Sequence, residues 1–118
     1  MSREHSGLVV ARQLRHYAPI FAALGDERRL RLLTRLGDAY PKSISQLAEG
    51  STITRQAITK HLRVLENAGL VRAETVGREC LYEFQPKALD AAQDYLALVS
   101  TQWEQALARL KAFVEKED

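Results

Sequence analysis

The chain has 118 residues, 46% hydrophobic and 27% charged, a balance that belongs to a folded globular domain and excludes a disordered one. A net charge of +2 is too small to demand a polyanionic partner, so the placement of charge must decide that question. The single cysteine excludes an intrachain disulfide framework, and neither a signal-peptide apolar run nor a bilayer-length one is present, so a soluble, cytoplasmic chain without membrane attachment is expected.

Residues 1–13 form a polar lead-in, helical at most from Leu8. In "HYAPIFAALG" the spacing puts Tyr17, Ile20, Phe21 and Leu24 on one helical face, with Pro19 suited to a first turn and Gly25 to a C-terminal cap. "DERRLRLLTRLG" predicts a second helix, with Asp26 as N-cap, Leu30, Leu33 and Leu36 as the buried stripe, and Gly37 as the stop. "DAYP" is a turn. "KSISQLAEG" is a short helix capped by Ser43, with Leu47 and Ala48 inward. "TRQAITKHLRVLENAGLV", Thr54 to Val71, predicts a further helix ending at Gly69. "LVRAETVGRECLYEF" then alternates about a turn at Val76–Glu79, with Cys80, Tyr82 and Phe84 on one face, and reads as a β-hairpin. Pro86 opens a long terminal helix whose apolar residues, from Leu89 to Val114, recur at spacings of three, four and seven.

The helix from Thr54 carries an unusual polar face. With about 100° per residue and Ile58 at zero, Ala57, His61, Leu62, Val64 and Leu65 share the core arc. Gln56, Thr59, Lys60 and Arg63 point the other way, and Thr54 and Arg55 project from the N-terminal end. Amides, hydroxyls and cations with no acid among them are the groups that bond base edges and phosphates. A short helix joined to it by a tight turn gives a helix-turn-helix, whose second helix enters the major groove. Arg78 at the hairpin tip extends the same surface. A polar outer face can equally be a solvated face, and helix-turn-helix geometry also occurs in protein-interaction modules. A winged-helix protein–protein interaction module without DNA binding is therefore the alternative. Its mark would be an apolar residue on the outer face of this helix, and none is expected there.

"FAALGDERRLRLLTRL" and "ISQLAEGSTITRQAITKHLRVLENAGLVRAETVGRECLYEF", in that order and spacing, resemble the ArsR/SmtB family of winged-helix bacterial repressors. The resemblance covers about residues 17–84. It implies a mostly α protein with a small β-hairpin, a winged helix-turn-helix whose N- and C-terminal helices form a dimer interface. It also implies a homodimeric repressor of transcription that binds double-stranded DNA. Carried over by position, Thr54, Arg55, Gln56, Thr59, Lys60 and Arg63 face DNA, with Arg78 at the wing tip. Glu27 stands where the family commonly has Pro, a change confined to the helix start. The expected organisation is an N-terminal extension over 1–16, a DNA-binding domain over 17–85 and a dimerisation helix over 86–118. The expected dimer residues are Tyr17, Phe21, Leu96, Val99, Trp103, Leu107 and Leu110, because a stripe reaching Val114 outruns a small core.

Metal-sensing members of the family often carry two cysteines in the short helix. Here Ser43 and Ser45 occupy those positions, and neutral hydroxyls are poor ligands for soft or borderline metals. The family's other site uses Asp and His along the terminal helix; Asp90 and Asp94 are present, but no histidine follows His61. His5, His16 and His61 are scattered, and His61 is expected as a core histidine. No metal and no cofactor are expected. Cys80, alternating with Tyr82 and Phe84, is expected to face inward as a small hydrophobe. No nucleophile–base set or phosphate loop is present, so an enzyme is not expected. The operator and the inducing signal are not legible.

Overall fold

The computed structural model describes the backbone of residues 3–117 and the side chains of residues 14–116. The side chains of the lead-in, His5 among them, lie outside the described residues. Helix α1 (Arg3–Leu24) starts well before Leu8, so Pro19 lies inside it and not in a first turn. Proline removes one i→i−4 hydrogen bond. The helix holds across that gap because Ile20 and Ala23 are buried beside it, with Tyr17 and Phe21 packed on the core.

Helix α2 (Glu27–Leu36) is capped as expected. The Asp26 carboxylate accepts from the Arg28 and Arg29 N–H groups at 2.8 and 3.2 Å, and Gly37 closes the other end. Those backbone donors, Arg29 first, hold the Asp26 carboxyl below its usual range. The stripe differs from the expected one. Leu32 and Leu36 are buried and Leu33 is half-buried, while Leu30 is 46% exposed. Arg29 sets the phase: its Nε and a terminal nitrogen donate to the Ala23 and Ala22 carbonyls at 2.7 and 3.1 Å. Positions 29, 32, 33 and 36 share a helical face, so Leu30 turns outward.

Helix α3 (Ile44–Ala48) begins with a reciprocal capping box between Ser43 and Gln46 and buries Leu47. Arg35 ties α2 to its end, donating to the Gln46 carbonyl at 2.8 Å and to the Leu47 carbonyl. Helix α4 (Arg55–Asn67) is N-capped by Thr54. Ile58, Leu62 and Leu65 are fully buried, Ala57 and His61 are half-buried, but Val64 is 40% exposed, against expectation. Val64 sits on the flank of the arc and borders a shallow groove with Pro19 and Ala22 of α1. Gly69 follows with φ +77, a conformation that favours glycine and turns the chain into the hairpin.

Strands β1 (Val71–Val76) and β2 (Glu79–Phe84) pair antiparallel from Val71↔Phe84 to Val76↔Glu79. The turn between them is Gly77–Arg78, with positive φ at Gly77 only, which matches the strand twist. Lys42 exchanges backbone bonds with Tyr82 at 3.0 and 2.8 Å and anchors the hairpin to the helical body. Tyr82 is buried, and that burial pushes its phenol pKa up. Helix α5 (Pro86–Glu117) packs its first turns on the core through Ala88, Leu89 and Ala92. Tyr95 packs in tilted contacts against Tyr17 and Phe21 of α1, with ring centroids 5.2 and 5.7 Å apart. Beyond Tyr95 most of the apolar residues of the helix are exposed, with Val99 half-buried, and the molecule is elongated, with a long axis of 69 Å. No helix among the described residues is long and apolar enough to cross a membrane.

Candidate nucleic-acid interface

Helix α4 owes its presentation to its buried side. Ile58, Leu62 and Leu65 lock its rotation, so the opposite positions are held toward solvent. Gln56, Lys60 and Arg63 are exposed there, and neither Lys60 nor Arg63 has a carboxylate within 4 Å among the described residues. The only acid on α4 is Glu66, in its last turns, far from the N-terminal end. That end carries the positive pole of the helix and its free N–H groups, a setting that favours an anion.

Three of the sequence-derived residues have further duties. The Thr54 hydroxyl accepts from the Ala57 N–H at 3.1 Å as the N-cap. Thr59 is half-buried and donates to the Arg55 carbonyl at 2.9 Å. Arg55 donates to the Ser45 hydroxyl at 2.6 Å. Ser45 thus positions the guanidinium that stands at the mouth of α4, a role invisible when Ser45 is considered only as a ligand position. Arg78 is exposed at the hairpin tip, beside exposed Glu79, while Arg72 lower on β1 is paired with Glu74 at 3.5 Å.

The second candidate surface is the exposed length of α5. Leu96, Trp103, Leu107 and Leu110 are each more than half exposed, and Val99 is half-buried. Phe113 and Val114 continue the stripe, and Phe113 was not anticipated from the spacing. Tyr17 and Phe21 are half-buried against Tyr95 of their own chain, at the root of that exposed length.

Cys80 corrects an expectation. It is exposed, although Tyr82 and Phe84 on the same face of β2 reach the core. Strand alternation assigns the face correctly, but the hairpin has left the body by position 80 and nothing lies beneath it. Among the described residues no group of three or more His, Cys, Asp or Glu stands together to hold a metal ion.

Residues 24–74 match a family described as a helix-turn-helix domain. An uncharacterized HTH-type transcriptional regulator of Bacillus subtilis, YuzN, is 42% identical over 65 residues, which span 50% of this chain and 71% of the relative. The arsenical resistance operon repressor of the same species is 29% identical over 77 residues, 65% of this chain and 73% of that protein. Among solved structures, an ArsR-like transcriptional regulator from Rhodococcus sp. RHA1 superposes with a TM-score of 0.76 at 38% identity, covering 84% of this chain and 92% of that one. With a capped helix-turn-helix, a two-stranded wing and relatives matched over most of their length, the chain belongs to the ArsR family of winged helix-turn-helix transcriptional regulators.

Proposed function

We propose that the protein is a homodimeric repressor that binds an inverted-repeat operator in double-stranded DNA through α4 and the wing. One observation carries this reading: the exposed face of α4 offers Gln56, Lys60 and Arg63, the two cations without an ion-pair partner among the described residues and the one acid of the helix, Glu66, near its C-terminal end, and Arg55 stands at its N-terminal mouth. Gln56 and Arg55 lie in the first turns, where side chains reach base edges. Thr54 and Thr59 stay within the interface as a cap and a packed hydroxyl, offering their remaining lone pairs. Lys60, Arg63 and Arg78 meet the backbone. Residues 17–85 serve as the DNA-binding unit and 86–118 as the dimerisation helix, while residues 1–16 extend α1. The exposed stripe of α5 supports the dimer, since an apolar surface of that length is unfavourable in water. A regulator of this kind works in the cytoplasm, alongside the DNA, and needs no metal at Ser43 and Ser45.

Selection of bound sequences from random duplex DNA by the purified protein tests this. The expected product is an inverted repeat with half-site centres about one helical turn apart, bound with an affinity that falls steeply as salt rises. Failure to enrich any sequence, with affinity insensitive to salt, refutes it and brings forward the protein-interaction reading.

A further inference from the structure

A groove of about 500 Å³ lies between α2 and the turn that joins α3 to α4. Its volume falls within the range of small-molecule sites, roughly 300–1,000 Å³. Its floor is apolar through half-buried Ile53 and the aliphatic stems of the lining arginines, laid over Leu32 and Leu47, which at 4% and 1% exposed lie just beneath. Its rim is cationic. Arg28, Arg31 and Arg35 recur at i, i+3 and i+7 along one face of α2, and all three line it. Ser51 and Thr52 of the turn form the opposite wall, and Glu49 is the one acid in the lining.

The three arginines are engaged to different degrees. Arg35 is committed to the α3 carbonyls of Gln46 and Leu47. Arg31 is bonded to Glu27 at 2.7 Å in a pair that is largely exposed and therefore weakly held. Arg28 has no carboxylate within 4 Å among the described residues. Two guanidiniums are thus available above an apolar floor. A DNA phosphate would meet the rim but leave that floor empty.

We propose that this groove binds a small organic oxyanion, a carboxylate or phosphate carried on a flat apolar body. The oxyanion is received by Arg28 and Arg31, and the body lies on Ile53 and the aliphatic stems of the arginines. The wall of the groove runs directly into Thr54, the cap of α4, so occupancy is felt at the helix that presents Gln56 and Lys60. This makes the oxyanion a regulator of DNA binding, a consequence that rests on the function proposed above.

The site is tested without DNA by following amide NMR signals of the full chain during titration with phenyl phosphate, benzoate and inorganic phosphate. Saturable shifts are expected at Gly50, Ser51, Thr52 and Ile53 with phenyl phosphate or benzoate. The aryl ligand should bind at least about tenfold more tightly than inorganic phosphate, because only it covers the floor. The double variant Arg28→Ala, Arg31→Ala should weaken the response at least about tenfold. Its fold is preserved, since both positions are exposed on a helix that favours alanine. Arg78→Ala should leave the titration unchanged. Absence of saturable shifts with both aryl probes, or shifts equal in the double variant, overturns the proposal. Loss of DNA affinity in the double variant without any probe binding also overturns it and assigns the arginines to the DNA backbone. Because the titration contains no DNA, its outcome stands apart from that of the operator selection.

Discussion

Trp103→Ala tests the proposed dimer separately from folding. Trp103 is 66% exposed in the single chain, so it contributes little to the core of its own domain. Of the roughly 250 Å² that a tryptophan can bury, about 165 Å² is open, and at about 25 cal/mol/Å² its full covering by a partner is worth about 4 kcal/mol. Truncation to alanine forfeits about 3 kcal/mol of this at each site, within the range of interface hot spots. A twofold interface uses the residue twice, so the ceiling is about 6 kcal/mol per dimer. Imperfect covering lowers that figure, and we expect the dimer dissociation constant to rise at least about 100-fold, or about 2.8 kcal/mol. Sedimentation equilibrium over a range of concentrations measures it. Circular dichroism at dilutions where both proteins are monomeric should overlay, since the body of the fold is untouched. An unchanged dissociation constant, or a wild-type chain that is monomeric at micromolar concentration, refutes the assignment of this stripe to a dimer.

Lys60→Ala, Arg63→Ala and Arg78→Ala should each weaken binding to all DNA sequences alike and lower the slope of log affinity against log salt by roughly 2, one contact per protomer. Gln56→Ala or Arg55→Ala should instead relax preference at one position of the half-site by about 1–3 kcal/mol, read from competition with variant duplexes. Leu62→Ala, at a fully buried position, should cost about 2–5 kcal/mol in denaturant unfolding. The Asp26 and Asp38 carboxyls are both held below their usual range, Asp26 by backbone donors from Arg29 and Arg28 and Asp38 by the Lys42 ammonium and the Tyr40 N–H. Depressed carboxylate pKa values contribute stability that is complete above the unfolded value, about 4, and is lost as pH falls through the folded ones. Asp26→Asn keeps a capping acceptor but no titrating group, so its thermal melts should lose less stability than wild type between neutral pH and pH 3.

Local chemistry made much of the fold legible in the sequence. Asp26 and Ser43 can each satisfy free N–H groups at a helix start, and they do so where the pattern expected, while Thr54, read from the sequence only as a DNA-facing residue, proves to cap α4 as well. Gly69 and Gly77 adopt the positive φ that ends α4 and turns the hairpin. On α4 the buried Ile58, Leu62 and Leu65 and the exposed Gln56, Lys60 and Arg63 fall where the periodicity puts them, but the flanks do not: Val64 is exposed and Thr59 half-buried. Tertiary structure decided what depends on neighbours distant in sequence. Periodicity alone does not choose among the crowded leucines of α2; the bonds from Arg29 to the end of α1 set the phase that buries Leu32 and exposes Leu30. Strand alternation gives Cys80 a face but not a surface to cover it, since that depends on how far the wing reaches past the body. Pro19 is held in mid-helix by core packing on both sides, which overrides its local preference for a first turn. The spacing of Arg28, Arg31 and Arg35 is visible in the sequence, but the apolar surface beside them comes from Ile53, brought in by the fold of the turn.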